Sequence, residues 1–227
     1  MKRSEINRYI EEAKRLFASI SFKLPPFAYW SPADWAMVGH QADEIRDNGL
    51  GWDLTDYGEG DFDRTGLLLF TIRNGNYSRQ DTYPKGYAEK IMIVQENQVC
   101  PMHFHWQKRE DIINRGGGNL VLELYLADEA EQLSEMAFTV AIDGVRRQCI
   151  AGQRVTLQPG ESICLTPFLY HRFYGEPGYG PVIVGEVSDV NDDNHDNRFL
   201  HTLRRFPKIE EDEPPLHYLC NEYPVAG

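Results

Sequence analysis

Residues 103–110 read His103-Phe104-His105-Trp106-Gln107-Lys108-Arg109-Glu110, and further along the chain His171 sits in Leu169-Tyr170-His171-Arg172-Phe173. On a strand, successive side chains point to opposite faces, so His103 and His105 would project into one space while Phe104 faces the other way and packs. Two imidazoles on one face repel each other when protonated and compete for partners when buried, and a shared cation removes both problems. Glu110 and a third imidazole, His171 from another strand, would complete three nitrogens and one oxygen on one side of an ion. Such a set leaves coordination positions open for water or substrate, as catalytic metal sites do. Lone histidines such as His40 and His217 read as structural.

The chain around this motif has the texture of antiparallel β structure. Short apolar or alternating runs cover 67–72, 90–95, 99–105, 120–126, 138–142, 145–150, 162–166, 171–174 and 182–187, separated by glycine, proline and aspartate. Asp143-Gly144 is a two-residue hairpin signal and Pro159-Gly160 marks another turn. Only 128–136 could form a helix between the strands, so an antiparallel sandwich or barrel is expected instead of an alternating parallel sheet. Before the strands, Ile6, Tyr9, Ile10, Ala13, Leu16, Phe17 and Ile20 follow helical spacing, and Pro25-Pro26 ends that helix. Ser31-Pro32-Ala33-Asp34 then caps a second helix with Trp35, Val38, Ala42 and Ile45 on its apolar face. Residues 199–206 read as a helix and the chain beyond as an irregular covering strap. With no repeat or linker, the expectation is one domain over 1–227, with a helical extension over 1–48. The first helix's apolar stripe suits either a partner chain in a homodimer or its own barrel, and a homodimer is expected.

Composition narrows the function classes. The 227 residues are 41% hydrophobic and 26% charged, which is ordinary for a soluble globular protein with a sizeable core. A balance of 23 basic against 35 acidic residues, formally -12, opposes nucleic-acid backbones and anionic membrane surfaces. The longest basic cluster, Arg204-Arg205 with Lys208, runs straight into Glu210-Glu211-Asp212-Glu213. No apolar run approaches the roughly 18 residues that span a bilayer, and the first residues open an amphipathic pattern, so a cytoplasmic location is expected. Cys100, Cys149, Cys164 and Cys220 lack the spacing of a zinc or redox motif and read as reduced, packing side chains.

The order of residues resembles the cupin superfamily. His103-x-His105-x4-Glu110-x6-Gly117 matches the first cupin motif, and His171 follows Gly160 and Pro167 roughly as the second motif requires. Asn97 stands where a glycine is usual, Pro167 is one residue out of register and Gly175 replaces the usual asparagine. More narrowly, the chain from its N-terminal helices through Lys90, the histidine pair and Val187-Ser188-Asp189-Val190-Asn191-Asp192-Asp193-Asn194 resembles the D-lyxose ketol-isomerase family over essentially its full length. The superfamily resemblance implies a double-stranded antiparallel β-barrel with the helices packed outside. The narrower one implies a manganese-dependent isomerase of D-lyxose and D-xylulose, also acting on D-mannose and D-fructose, with ligands His103, His105, Glu110 and His171. On donor chemistry alone, imidazole and carboxylate suit manganese, iron or zinc nearly equally.

Moving a carbonyl between C1 and C2 of a sugar requires either a proton relay through an enediol or a hydride shift, and both build negative charge on two oxygens that a divalent ion can hold. The enediol route needs a general base. Glu186, within Val182-Ile183-Val184-Gly185-Glu186-Val187, serves if it faces the barrel interior and is merely solvated if it faces out. Lys90 could donate to a sugar oxygen, or it snorkels at the surface. Lys108 lies close to the proposed ion, or is solvated. The polar run 191–198, with Asp193 and Arg198, reads either as a locally bonded turn or as a rim that binds sugar hydroxyls, and Arg198 can instead anchor the loop through a carboxylate. The acidic balance suits an unphosphorylated sugar. The alternatives are an iron-dependent cupin oxygenase at the same ligands and a sugar-binding cupin without catalysis.

Overall fold

A computed structural model describes residues 1–226, with three short α-helices preceding a β-structure. Helix α1 spans Arg3–Ser19, α2 Pro32–Ala36 and α3 Asp43–Asp47. The strands are β1 (Gly51–Thr55), β2 (Leu67–Arg73), β3 (Tyr87–Val94), β4 (Cys100–Phe104), β5 (Glu110–Gly117), β6 (Leu120–Ala127) and β7 (Leu133–Ser134). They continue with β8 (Phe138–Ile142), β9 (Val145–Cys149), β10 (Gln153–Leu157), β11 (Ser162–Leu165), β12 (Leu169–Gly175), β13 (Val182–Asp189) and β14 (Arg198–Phe199). They form two antiparallel sheets, in the orders β1-β2-β3-β13-β5-β11-β8-β9 and β10-β6-β12-β4-β14, with β7 on β6. This is the expected double-stranded antiparallel barrel.

The part of the large sheet formed by β1, β2, β3 and β13 is buried on both faces. Met92, Val94, Val182, Val184 and Ile112 point inward and meet Leu122, Leu124 and Phe173 of the small sheet. Their neighbours Leu68, Phe70, Ile91, Ile93 and Ile183 point outward and meet Ile6, Ile10, Ala13 and Phe17 of α1. The stripe of α1 therefore closes on its own sheet, and the helix gives no reason to invoke a partner chain. The C-terminal strap lies over α1 in turn: Arg3 pairs with Glu211 and Glu222, Ser4 with Asp212, and Asn7 with Glu213.

Several local expectations stand. Ser31 and Asp34 form the capping box, and both residues of the Asp143-Gly144 turn have positive φ (47° and 78°), as a type I′ hairpin demands. Asn97, where the cupin pattern has glycine, has φ 59°, and asparagine tolerates the left-handed region better than other residues carrying a Cβ. Gly117 has φ 86°, and a Cβ there would lie 2.2 Å from the Pro181 carbonyl.

Others are corrected. The second helix breaks at Gly39 into α2, a 3-10 turn over His40–Ala42 and α3. Residues 128–136 form no helix: the Asp128 side chain accepts from the amides of Ala130 and Gln132, which stabilises a turn leading into β7. Residues 199–206 are not helical either, because Arg198 and Phe199 pair with β4 as β14. No helix is long and apolar enough to cross a membrane among the described residues.

Phe17 is 1% exposed and stacks on Trp52 at 6.4 Å. Phe17→Ala should therefore destabilise the protein by about 3–5 kcal/mol in chemical denaturation. A loss under ~1 kcal/mol would show that α1 is not an integral part of the fold.

Candidate metal centre

The register of the strands brings the histidines together. His171 on β12 is directly opposite His103 on β4, and between this pair and the Phe173–Cys100 pair the register shifts by one residue. The bulge lets Cys100 and His103 both face inward, although they are an odd number of residues apart. His105 follows two residues after His103 on the same face. Phe104 points the other way, fully buried between Trp106, Phe168 and Tyr170 with ring centroids 4.8–5.6 Å away. Phe168, held at φ 61°, donates its amide to the His105 carbonyl and leads directly into β12.

Each imidazole is oriented by its Nδ1. His103 contacts the Pro101 carbonyl at 2.7 Å, His105 the Asp196 carbonyl at 2.7 Å and His171 the Leu169 carbonyl at 3.0 Å. A carbonyl only accepts, so each Nδ1 carries a proton and Nε2 is the ring nitrogen left for another partner. One nitrogen from each ring lies within 4.8 Å of one from each of the others. Burial, then the other two imidazoles, hold His103 well below its ordinary pKa, which keeps it neutral.

From the opposite sheet, β5 supplies Glu110. Its Oε1 lies 3.1 Å from His171 Nε2 and 3.5 Å from His105 Nε2, yet both nitrogens are buried without a hydrogen-bond partner. Two buried Nε2 atoms and a carboxylate oxygen that converge without hydrogen-bond geometry are an arrangement that a shared cation satisfies. Donors that share one ion at roughly 2.1 Å lie about 3 Å apart when adjacent on an octahedron, and Glu110 Oε1 stands at 3.1 and 3.5 Å from two of the imidazoles, which themselves converge within 4.8 Å. The donor set thus fits a divalent cation without thiolates.

Around this cluster runs a buried network of charge. Glu110 Oε2 is 2.8 Å from Lys108 Nζ, which also reaches Glu186 Oε1 at 3.0 Å, and Lys90 approaches the same oxygen at 3.3 Å. Glu186 therefore faces the interior, 5% exposed, and Lys90 and Lys108 are neither snorkelling nor solvated, at 4% and 3%. Burial works to raise the Glu186 pKa, but the Lys108 and Lys90 ammoniums outweigh it and hold the carboxyl below its usual range. Burial likewise works against the Lys108 ammonium, and Glu110 and Glu186 more than restore it, so its pKa is raised.

The polar run 191–198 is both turn and wall. Asn191 accepts from Lys90 at 2.6 Å, and the Asp196 carboxylate accepts from the amides of Gln107 and Lys108 at 2.8 and 2.9 Å. Asp193 lines the cavity and pairs with Arg205 at 2.8 Å. Arg198 does not reach the cavity: it pairs with Glu131 at 2.8 Å, the anchoring alternative. His217 is structural, bound to the Trp30 carbonyl at 2.9 Å, and His40 is an exposed partner of Asp43. Sequence reading missed Asp53 and Arg205, which pair at 2.9 Å in the cavity wall from positions far apart in the chain. The signal available was weak: an aspartate in the apolar stretch Gly51–Thr55 and an arginine before the acidic strap. The cavity lined by the three histidines, Glu110, Glu186, the two lysines and the Asp53–Arg205–Asp193 group holds about 340 Å³, within the range of small-molecule sites.

A family model described as D-lyxose isomerase matches residues 1–223. The chain is 56% identical over 224 residues to the D-lyxose/D-mannose isomerase of Serratia proteamaculans and 54% identical to that of Escherichia coli O157:H7, covering 98% of each chain in both cases. Among solved structures, the L-ribose isomerase of Cellulomonas parahominis without ligand superposes with TM-score 0.61 at 16% identity, over 92% of this chain and 98% of that one. The L-ribose isomerase of Acinetobacter sp. DL28 in complex with L-ribose gives 0.60 at 17% identity, over the same shares. At these identities the likeness is one of fold.

The geometry generates two expectations for metal content. His103→Ala or His171→Ala should bind manganese at least about tenfold more weakly in a competition titration, with the far-ultraviolet circular dichroism of the fold retained. Asp196→Ala, which frees the segment carrying His105, should weaken binding roughly 10–100-fold without touching the donor set. Unchanged manganese affinity in all three would show that the ion is held elsewhere.

Proposed function

Because the chain belongs to the D-lyxose isomerase family, whose members are aldose–ketose isomerases, we propose that it interconverts D-lyxose with D-xylulose and D-mannose with D-fructose at a divalent ion, Mn2+, held by His103, His105, Glu110 and His171. The observation that carries this reading is the convergence of unpartnered imidazole nitrogens and one carboxylate in a cavity that also presents Glu186, Lys90 and Lys108. The relatives named above support the choice of sugars. Family membership leaves the oxygenase and the non-catalytic sugar-binding readings without support.

The bound ion would supply Lewis-acid polarisation of the sugar carbonyl and its neighbouring oxygen. The chain's own residues do the rest. Glu186 removes the proton from C2 of the aldose and returns it to C1, while the proton of the C2 hydroxyl passes to O1, so that the enediol collapses to the ketose with no net gain or loss of protons. The contacts of Glu186 with Lys90, Lys108 and Ser188 all fall on Oε1, which leaves Oε2 as the atom that carries the proton. The depressed pKa keeps this carboxylate ionised at neutral pH, the form a base requires. Lys108, paired with both Glu110 and Glu186, offsets negative charge that develops on the sugar oxygens. Lys90 fixes Glu186 from the other side and lies against Asn191 of the wall. Asp193 faces the same cavity as an acceptor for sugar hydroxyls.

Two measurements test this mechanism. Glu186→Gln, isosteric and outside the donor set, should retain manganese and lose about 10²–10⁴ in kcat for D-lyxose. In D2O, ketose formed by the wild type should carry solvent deuterium at the carbon that receives the proton. A wild-type rate in Glu186→Gln removes Glu186 from the proton transfer, and ketose still unlabelled after many reversible turnovers in D2O replaces the enediol with a hydride shift.

A further inference from the structure

At one side of the cavity Asp53, on the inner face of β1, and Asp193 hold Arg205 between them. Arg205 Nη2 contacts Asp53 Oδ2 at 2.9 Å and Asp193 Oδ2 at 2.8 Å. One guanidinium nitrogen serves both carboxylates, which leaves Nε and Nη1 free to donate elsewhere. Arg205 is in turn braced by the ring of Phe206, 4.7 Å from its guanidinium carbon.

The other oxygen of Asp53 is what calls for explanation. Asp53 is 7% exposed, lines the cavity, and its Oδ1 is buried with no hydrogen-bond partner. A buried carboxylate oxygen left unsatisfied is costly, and native proteins keep few of them. If Asp53 served only to anchor Arg205, a second donor at Oδ1 would be gained at no cost to that role. Oδ1 is therefore the acceptor of this cavity-lining side chain that Arg205 leaves uncommitted.

We propose that Asp53 is a specificity-determining residue of the proposed isomerase: its Oδ1 accepts a hydrogen bond from a hydroxyl at the end of the sugar away from the carbonyl, while Arg205 holds the carboxylate in place. The inference rests on the sugar-isomerase reading and adds to it the group that recognises the far end of the substrate. Near the proposed ion Lys108 bonds to Glu110 and Glu186, and Lys90 to Glu186 and Asn191. Asp53 lies two strands away from Lys90 across the sheet, on β1 against β2 against β3, so it addresses a different part of a bound sugar. A neutral hydroxyl suits this acceptor. A phosphate does not, since it would meet Asp53 and Asp193 as like charges.

The test compares binding of D-mannose, 4-deoxy-D-mannose and 6-deoxy-D-mannose by calorimetry to the manganese-loaded wild type, Asp53→Asn and Asp53→Ala, with ketose formation assayed in the same samples. In Asp53→Asn the amide oxygen can stay on Arg205, and an NH2 then replaces the acceptor Oδ1. The wild type should bind one of the two deoxy sugars about 10–100-fold more weakly than D-mannose, the size expected for one hydrogen bond to a charged acceptor. Asp53→Asn should lose a similar factor for D-mannose and bind that deoxy sugar and D-mannose within about threefold of each other. The proposal is overturned if the wild type binds both deoxy sugars as tightly as D-mannose, if it binds no sugar, or if either variant weakens all three sugars by the same factor. The wild-type comparison needs no variant to fold. Preference that depends on Asp53 without any ketose would refute the isomerase reading and leave this one standing.

Discussion

An alternating chain of charge is threaded through the interior of the barrel, and the rest of the site depends on it. From the histidines it runs through Glu110, Lys108, Glu186 and Lys90, with successive contacts of 3.1, 2.8, 3.0 and 3.3 Å from His171 onward. Asp53, Arg205 and Asp193 form a second alternating group on the same cavity. Each isolated charge would cost several kcal/mol to bury, and only the regular change of sign makes so many tolerable between two hydrophobic sheets. The order is written in the ladder: Glu186 on β13 is opposite Lys90 on β3, and on the other side Ser188 of β13 is opposite Glu110 of β5. A one-residue slip of β13 would turn Glu186 outward and leave Lys90 and Lys108 buried beside each other.

What could be read from the sequence follows from how local each signal is. His103 and His105 are two residues apart on one strand, so their common face is a property of the chain alone, and Glu110 opens the next strand. The direction of Lys90 and Glu186 is different. Both belong to strands covered on one face by α1 and on the other by the small sheet, so their runs are apolar throughout and show no alternation from which to choose a face. Family resemblance drew notice to Lys90 but not to its direction. Asp53 and Arg205 are separated by 152 residues and meet only because the chain after β14 returns across the open end of the barrel. No spacing rule reaches that far.

The misread helices have a physical cause as well. Residues 199–206 carry apolar and basic side chains at helical intervals, but Leu203 and Phe199 are drawn into the barrel mouth while Arg205 is held by two carboxylates. Tertiary contacts of that kind override a weak local preference. Conversely, Asn97 keeps its left-handed turn without the glycine of the cupin pattern, because asparagine supplies that backbone geometry itself. A departure from a motif at such a position changes little, whereas one at Gly117, where a Cβ would strike a carbonyl, would change the strand.

Lys108 ties the two halves of the site together. Its ammonium contacts both Glu110 beside the imidazoles and Glu186 away from them. Its backbone amide is held by Asp196, whose own carbonyl orients His105. A single turn of chain thus sets the direction of one imidazole, the position of the ammonium and the ionisation of the proposed base. If an ion binds beside Glu110, it draws on the same carboxylate that Lys108 neutralises, and less of that carboxylate's charge is left to hold the ammonium. Lys108 then leans toward Glu186 or toward substrate oxygens. Charge in this interior can be redistributed without moving a strand, which is what a reaction that builds and discharges an oxyanion in a closed space requires.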